Sequence, residues 1–174
     1  VVIWKSTNVA GDEMNRNIVQ YAREVLNLVL GEKGAEEVKM KIGSAQDFGE
    51  HLEYPMRGRD LLSGLPREIT VTDGQIRDAL SRSVRQIIES VKITLEITPP
   101  ELAADIYERG LVLSGGGALL RGMDKMISQH ADIPVRIADD PLTGVVRGLG
   151  MLLDDAPLLR AVALPSARET SVLS

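Results

Sequence analysis

The chain has 174 residues, 44% hydrophobic and 26% charged, with a net charge of −5. This is globular composition for one ordinary domain or two small lobes, which argues against a disordered chain. The absence of Cys excludes a disulfide framework and a Cys-based metal site, and an acidic chain with 3% aromatics and no basic block argues against nucleic acid as a partner.

The opening Val1-Val2-Ile3-Trp4 and the residues to Val9 are β-rich and predict a strand that begins in mid-element, as at a cut in a longer protein. Gly11 or Asp12 then caps a helix whose apolar positions Ile18, Tyr21, Ala22, Val25, Leu28 and Val29 recur at three- and four-residue steps up to Gly31. A short helix over Ala35 to Ile42 follows, closed by Gly43. Leu52 to Met56 predicts an edge strand, because Pro55 cannot donate to a ladder, and Arg57-Gly58-Arg59-Asp60 predicts a turn. Glu68 to Thr72 predicts a further strand. Thr72 or Asp73 caps a long helix bearing Ile76, Leu80, Val84, Ile87, Ile88, Val91 and Leu95.

Pro99-Pro100 breaks that helix, and Pro100 suits the first turn of the next, Glu101 to Glu108. Leu111 to Ser114 predicts a short buried strand. Gly115-Gly116-Gly117 leads from it into a helix through Leu119, Leu120, Met123 and Ile127. A strand over Pro134 to Ile137 and a last helix over Leu142 to Asp155 complete the pattern. The remainder, residues 156–174, shows no periodicity and predicts a flexible tail. No apolar run reaches the roughly 18 residues that span a membrane. Strands alternating with helices at both ends predict an α/β fold with partly parallel strands, and the interruption from Ser44 to Pro99 predicts an inserted small lobe.

Three features could carry chemistry. The strand–glycine–helix passage at Leu111 to Ala118 lets backbone approach a ligand, and a helix N-terminus offers free N–H groups to a phosphate. A tight turn without a ligand has the same pattern. It is neither a Walker loop, since no Gly-Lys-Ser/Thr follows, nor a dinucleotide fingerprint, nor a nucleophile elbow. Glu36 and Lys39 share one helix face and could grip a purine edge and ribose hydroxyls, or form a surface ion pair like Glu37 and Lys41. Gly144, Gly148 and Gly150 in the last helix suggest close packing or a hinge. His51 and His130, the only two histidines, lie far apart and argue against zinc.

Together several strings resemble the MreB family of bacterial actins: Val9-Ala10-Gly11-Asp12-Glu13-Met14-Asn15, Arg57-Gly58-Arg59-Asp60-Leu61, Gly64-Leu65-Pro66, Thr98-Pro99-Pro100-Glu101-Leu102-Ala103-Ala104-Asp105-Ile106, Ser114-Gly115-Gly116-Gly117-Ala118-Leu119-Leu120-Arg121-Gly122 and Ala138-Asp139-Asp140-Pro141-Leu142-Thr143. The resemblance runs from about Ser6 to Leu153. It implies the actin-like ATPase fold, related to ribonuclease H, with this chain as most of the second large domain. Residues 1–43 and 98–155 would form its nucleotide-facing subdomain and residues 44–97 a small outer α+β subdomain.

By the same resemblance, Gly115, Gly116, Gly117 and Ala118 would lie against the adenosine and α-phosphate of ATP. Glu36, Glu37, Val38 and Lys39 would border the adenine and ribose, with Gly11 and Asp12 near the cleft. The family's phosphate loops, magnesium-binding acid and catalytic acid would lie outside this chain, so the piece alone would not hydrolyse ATP. The intact protein would form filaments in the cytoplasm under the inner membrane, touching that membrane through its other part, and guide the cell-wall elongation machinery. A truncated module that modulates filaments, or a chaperone- or kinase-like member of the same superfamily, is the alternative.

Overall fold

A computed structural model describes residues 2–162. Helix α1 (Gly11–Val25) buries Met14, Asn15, Ile18 and Ala22 along one face, and Asp12 and Glu13 in its first turn complement the helix dipole. It ends at Val25, short of the predicted Gly31. Asn27 takes φ 51, a left-handed conformation that Asn tolerates, and Leu28–Val29 leaves the helix as strand β1. Leu28 is fully buried there. Helix α2 (Glu32–Ile42) starts before the predicted Ala35 and buries Ala35, Val38 and Ile42.

Strands β2 (Glu53–Asp60) and β3 (Pro66–Thr72) complete an antiparallel sheet of order β1-β2-β3. The predicted edge strand is therefore central, and the predicted turn at Arg57-Gly58-Arg59-Asp60 is the end of that strand. The cause is tertiary. β1 pairs Leu28 with Asp60 and Val29 with Arg59, so it covers only one end of β2. Pro55, opposite Thr70, lies beyond its reach and keeps one edge flank. At Gly58 the β1 backbone comes so close that an added Cβ would stand 2.4 Å from the Val29 carbonyl oxygen.

The turn lies instead at 61–65. Asp60 organises it by accepting the backbone N–H groups of Leu62 and Ser63, while the Arg67 guanidinium donates to its other oxygen at 2.7 Å.

Thr72 caps helix α3 (Asp73–Glu96) in a reciprocal capping box with Gln75. Its face of Ile76, Leu80, Val84 and Ile88 is buried, packing against α1 and later α5. Helix α4 (Pro100–Arg109) has proline in its first turn and stops at Gly110, φ 74. Strands β4 (Leu111–Leu113) and β5 (Val135–Ile137) form a parallel pair. β4 is less buried than predicted, with Val112 half exposed.

Helices α5 (Met123–Ala131), α6 (Gly144–Asp154) and α7 (Ala156–Val162) follow. Within the predicted flexible tail, residues 156–162 are thus helical, and 163–174 lie outside the described residues. Residues 2–9 form no strand: no described strand pairs with them, and Val2 and Trp4 are exposed. Extended residues become a strand only with a ladder partner.

One apolar cluster joins α1, α2, α3, α5 and the three-stranded sheet, with Ile18, Leu28, Val38, Met56, Ile76 and Ile127 at its centre. The mixture of helices, an antiparallel sheet and a parallel pair is the predicted α/β class.

Candidate functional site

The glycine passage leaves the carboxyl end of β4, where ligands gather in open α/β sheets. Gly115 has φ 86, and its N–H donates to the Pro141 carbonyl at 2.7 Å. That backbone needs glycine. Gly116 and Gly117 do not: neither has positive φ, an added Cβ at Gly116 would meet only Leu142 at 3.8 Å, and at Gly117 nothing within 4 Å. Two glycines that packing does not demand leave open space on one side of the loop.

The predicted helix through Leu119 and Leu120 is corrected. Gly116–Leu119 is a single 3-10 turn, after which Gly122, left-handed at φ 77, redirects the chain into α5. A turn this short carries little macrodipole, so the loop's recognition capacity rests on exposed backbone and open space rather than on a helix end.

Across that space stands α2. The Lys39 ammonium donates to the Asn15 carboxamide at 2.7 Å and to the Gly11 carbonyl at 3.2 Å. Burial pushes its pKa down, against the Glu36 and Asp12 carboxylates, which pull it up. No ion pair joins Lys39 to Glu36 among the described residues; Lys39 is tied to α1, and Glu36 remains exposed on the wall.

Loop and helix face each other across a cavity of about 590 Å³, in the range of small-molecule sites. Glu36, Lys39, Gly116, Gly117 and Gly11 line it. The other predicted residues are elsewhere. Glu37 accepts a hydrogen bond from the Tyr54 hydroxyl, Val38 is in the core, Ala118 is buried, and Gly115 anchors the loop to Pro141.

Sequence reasoning missed the apolar lips of this cavity. Met40, Leu119 and Leu142 line it and are each more than half exposed. Exposed apolar side chains converging on a concavity with a few polar groups mark a ligand site more than a surface. The only available signal was their adjacency to the motifs, Met40 beside Lys39 and Leu142 after Asp139-Asp140-Pro141. Gly148 and Gly150 on α6 have open space around them, whereas a Cβ at Gly144 would stand 3.2 Å from the Ser114 hydroxyl. Among the described residues no acidic or histidine cluster could hold a metal ion, and no helix is long and apolar enough to cross a membrane.

Known proteins resemble this chain over most of its length. The family model described as MreB/Mbl protein matches residues 1–160. The cell shape-determining protein Mbl of Bacillus subtilis (strain 168) is 41% identical over 155 residues, covering 89% of this chain and 46% of that protein. The cell shape-determining protein MreB of Escherichia coli (strain K12) is 44% identical over 154 residues, covering 88% of this chain and 44% of that protein. The chain thus spans just under half the length of these curated relatives. The crystal structure of MreB5 of Spiroplasma citri bound to AMPPNP superposes with a TM-score of 0.85 at 35% identity, over 93% of this chain and 48% of that one. The MamK double helical filament superposes with a TM-score of 0.70 at 22% identity, over 84% and 45%, which is a likeness of fold alone.

Proposed function

The chain belongs to the MreB/Mbl family and carries its actin-like fold, and from that premise we propose that it is the adenosine-binding part of an ATP-dependent, filament-forming protein of cell shape. The observation that supports this most is the pair of unforced glycines, Gly116 and Gly117, facing Glu36 and Lys39 across the cavity. In this reading the loop backbone meets the adenosine and α-phosphate. Lys39 and Glu36 supply a donor and an acceptor for ribose and adenine, and Met40, Leu119 and Leu142 supply apolar contact to the purine.

Gly115, Ala118, Glu37 and Val38 act from behind, holding loop and helix in place. Magnesium and the hydrolytic groups come from the rest of a protein about twice as long. Residues 1–43 and 98–155 form the nucleotide-facing part and 44–97 the outer part in this reading, the two sharing the β1-β2-β3 sheet and the core of α1, α2 and α3. The intact protein assembles with copies of itself at the cytoplasmic side of the inner membrane and guides the cell-wall elongation machinery. The MreB5 structures with AMPPNP and ADP support nucleotide binding by kinship, and self-association is proposed beside them from the shared fold alone.

The test is titration of the chain with a fluorescent ATP analogue, beside Gly116→Asp. The open space at Gly116 lets the variant fold, while its carboxylate would oppose a phosphate. We expect saturable binding, weakened at least about tenfold by the substitution, a loss of about 1.4 kcal/mol. Equal binding by both chains, or no binding by the parent, overturns the reading.

A further inference from the structure

The loop's exit from the cavity is fastened by a strap that no nucleotide argument requires. Gly43, at the end of α2, and Arg121, at the end of the glycine passage, both line the cavity. From Gly43 the chain runs through residues 44–50 toward β2, lying flush on Arg121 and Gly122. Ser44 pairs with Arg121 in an isolated parallel bridge, and the Ala45 N–H donates to the Arg121 carbonyl at 2.8 Å. The Arg121 guanidinium reaches over the strap to Glu50 at 2.6 Å and stands 5.0 Å from the centroid of Phe48, the chain's single Phe. Lys125 of α5 stands 5.1 Å from the same ring.

Gly122 completes the fit. Its φ of 77 favours glycine, and an added Cβ would stand 2.8 Å from Gln46 and 2.9 Å from the Phe48 ring. On either side of Phe48 the chain is also tied to α3. Asp47 pairs with Arg77 of α3 at 3.5 Å, and the Leu52 carbonyl accepts the Asp73 N–H at the start of α3. A cavity wall, the three-stranded sheet and α3 thus meet in one short segment.

The Arg121 and Glu50 side chains are 35% and 48% exposed, and exposed ion pairs add little stability. Their geometry is nonetheless specific: one planar guanidinium serves a carboxylate and an aromatic face at once, with a fixed fork that a lysine ammonium lacks. A contact that is weak in stability yet specific in geometry suits positioning.

We propose that Arg121, Phe48 and Glu50 form a latch that sets the separation of the glycine loop from α2, so that occupancy of the cavity and order of the strap are coupled. Arg121 is a positioning residue in this scheme, acting on ligand through the loop. The ligand side rests on the nucleotide reading above, while the latch stands on the strap contacts alone. Coupling is reciprocal: whatever the latch contributes to affinity, ligand returns as order in residues 44–50.

The first measurement is amide hydrogen exchange of the unliganded chain. Glu50→Gln and Phe48→Leu should speed exchange at Leu120 and Met123, across the contact, and Arg121→Gln should speed it at Ala45. Unchanged exchange overturns the latch whether or not nucleotide binds. The second is titration with the fluorescent ATP analogue. Glu50→Gln and Phe48→Leu line no part of the cavity, yet each should weaken binding about fivefold, the lower range of measured couplings. Arg121→Gln combined with Glu50→Gln should weaken binding no more than Arg121→Gln alone. If Arg121→Gln weakens binding while Glu50→Gln and Phe48→Leu bind as the parent, Arg121 acts on the ligand directly and the proposal fails. If no variant and not the parent binds, the nucleotide reading falls, and the exchange result still decides the latch.

Discussion

Gly58→Ala tests whether β1 is held by backbone proximity to β2. The new methyl would stand 2.4 Å from the Val29 carbonyl oxygen and 2.8 Å from the Leu28 Cγ, roughly 1 Å inside ordinary van der Waals contact. The oxygen belongs to backbone, and β1 has only two residues, so relief requires moving the strand. Its pairs, Leu28 with Asp60 and Val29 with Arg59, then stretch or break. Overpacking costs about 1–3 kcal/mol, and a lost ladder bond adds about 1 kcal/mol. The sum, about 2–4 kcal/mol, lowers the midpoint of thermal unfolding by on the order of 10 °C for a chain of this size.

The assay is urea unfolding followed by circular dichroism, with Gly117→Ala as the comparison. At Gly117 nothing lies within 4 Å of the new Cβ, so that change should stay within about 0.5 kcal/mol. A Gly58→Ala chain as stable as the parent, or a Gly117→Ala chain equally damaged, would refute the reasoning from close approach.

Thr72→Ala removes the hydroxyl that accepts the Gln75 N–H and should cost about 1 kcal/mol in the same assay; a cost near zero would mean that packing alone fixes the start of α3. Asp60 gives a prediction in pH. The Ser63 N–H, then the Arg67 guanidinium and the Ser63 hydroxyl, hold its carboxyl well below the usual carboxylate range. A depressed native pKa contributes stability above the unfolded value near pH 4 and loses it as pH falls below that. Asp60→Asn should therefore be less stable at pH 7 and lose less than the parent between about pH 5 and pH 3. Parallel losses in urea midpoint for the two chains would count against Asp60 as the organiser of the turn.

Much was legible because it depends on neighbours in sequence. The apolar steps through Ile18 and Ala22, and through Ile76 to Ile88, fix one buried face per helix whatever the rest of the chain does. Thr72 or Asp73, Pro100 and Gly110 mark helix ends through local hydrogen bonds and backbone angles, the structure adding Gln75 as the partner of Thr72. The glycine passage and the Glu36/Lys39 face were visible as motifs, and kinship followed from strings in order.

What the tertiary structure alone decided concerns partners distant in sequence. Leu28 and Val29 fit a helical period until β2 offers them a ladder, and Arg57 to Asp60 read as a turn until β1 lies across Gly58. Residues 2–9 have strand composition but no strand among the described residues to pair with. Glu36, Lys39, Gly116 and Gly117 share a cavity only because α2 and the loop close on it from opposite sides. Local preferences select an element's type; which elements touch, and which side chains face a common space, is settled by burial and hydrogen-bond pairing over the whole chain.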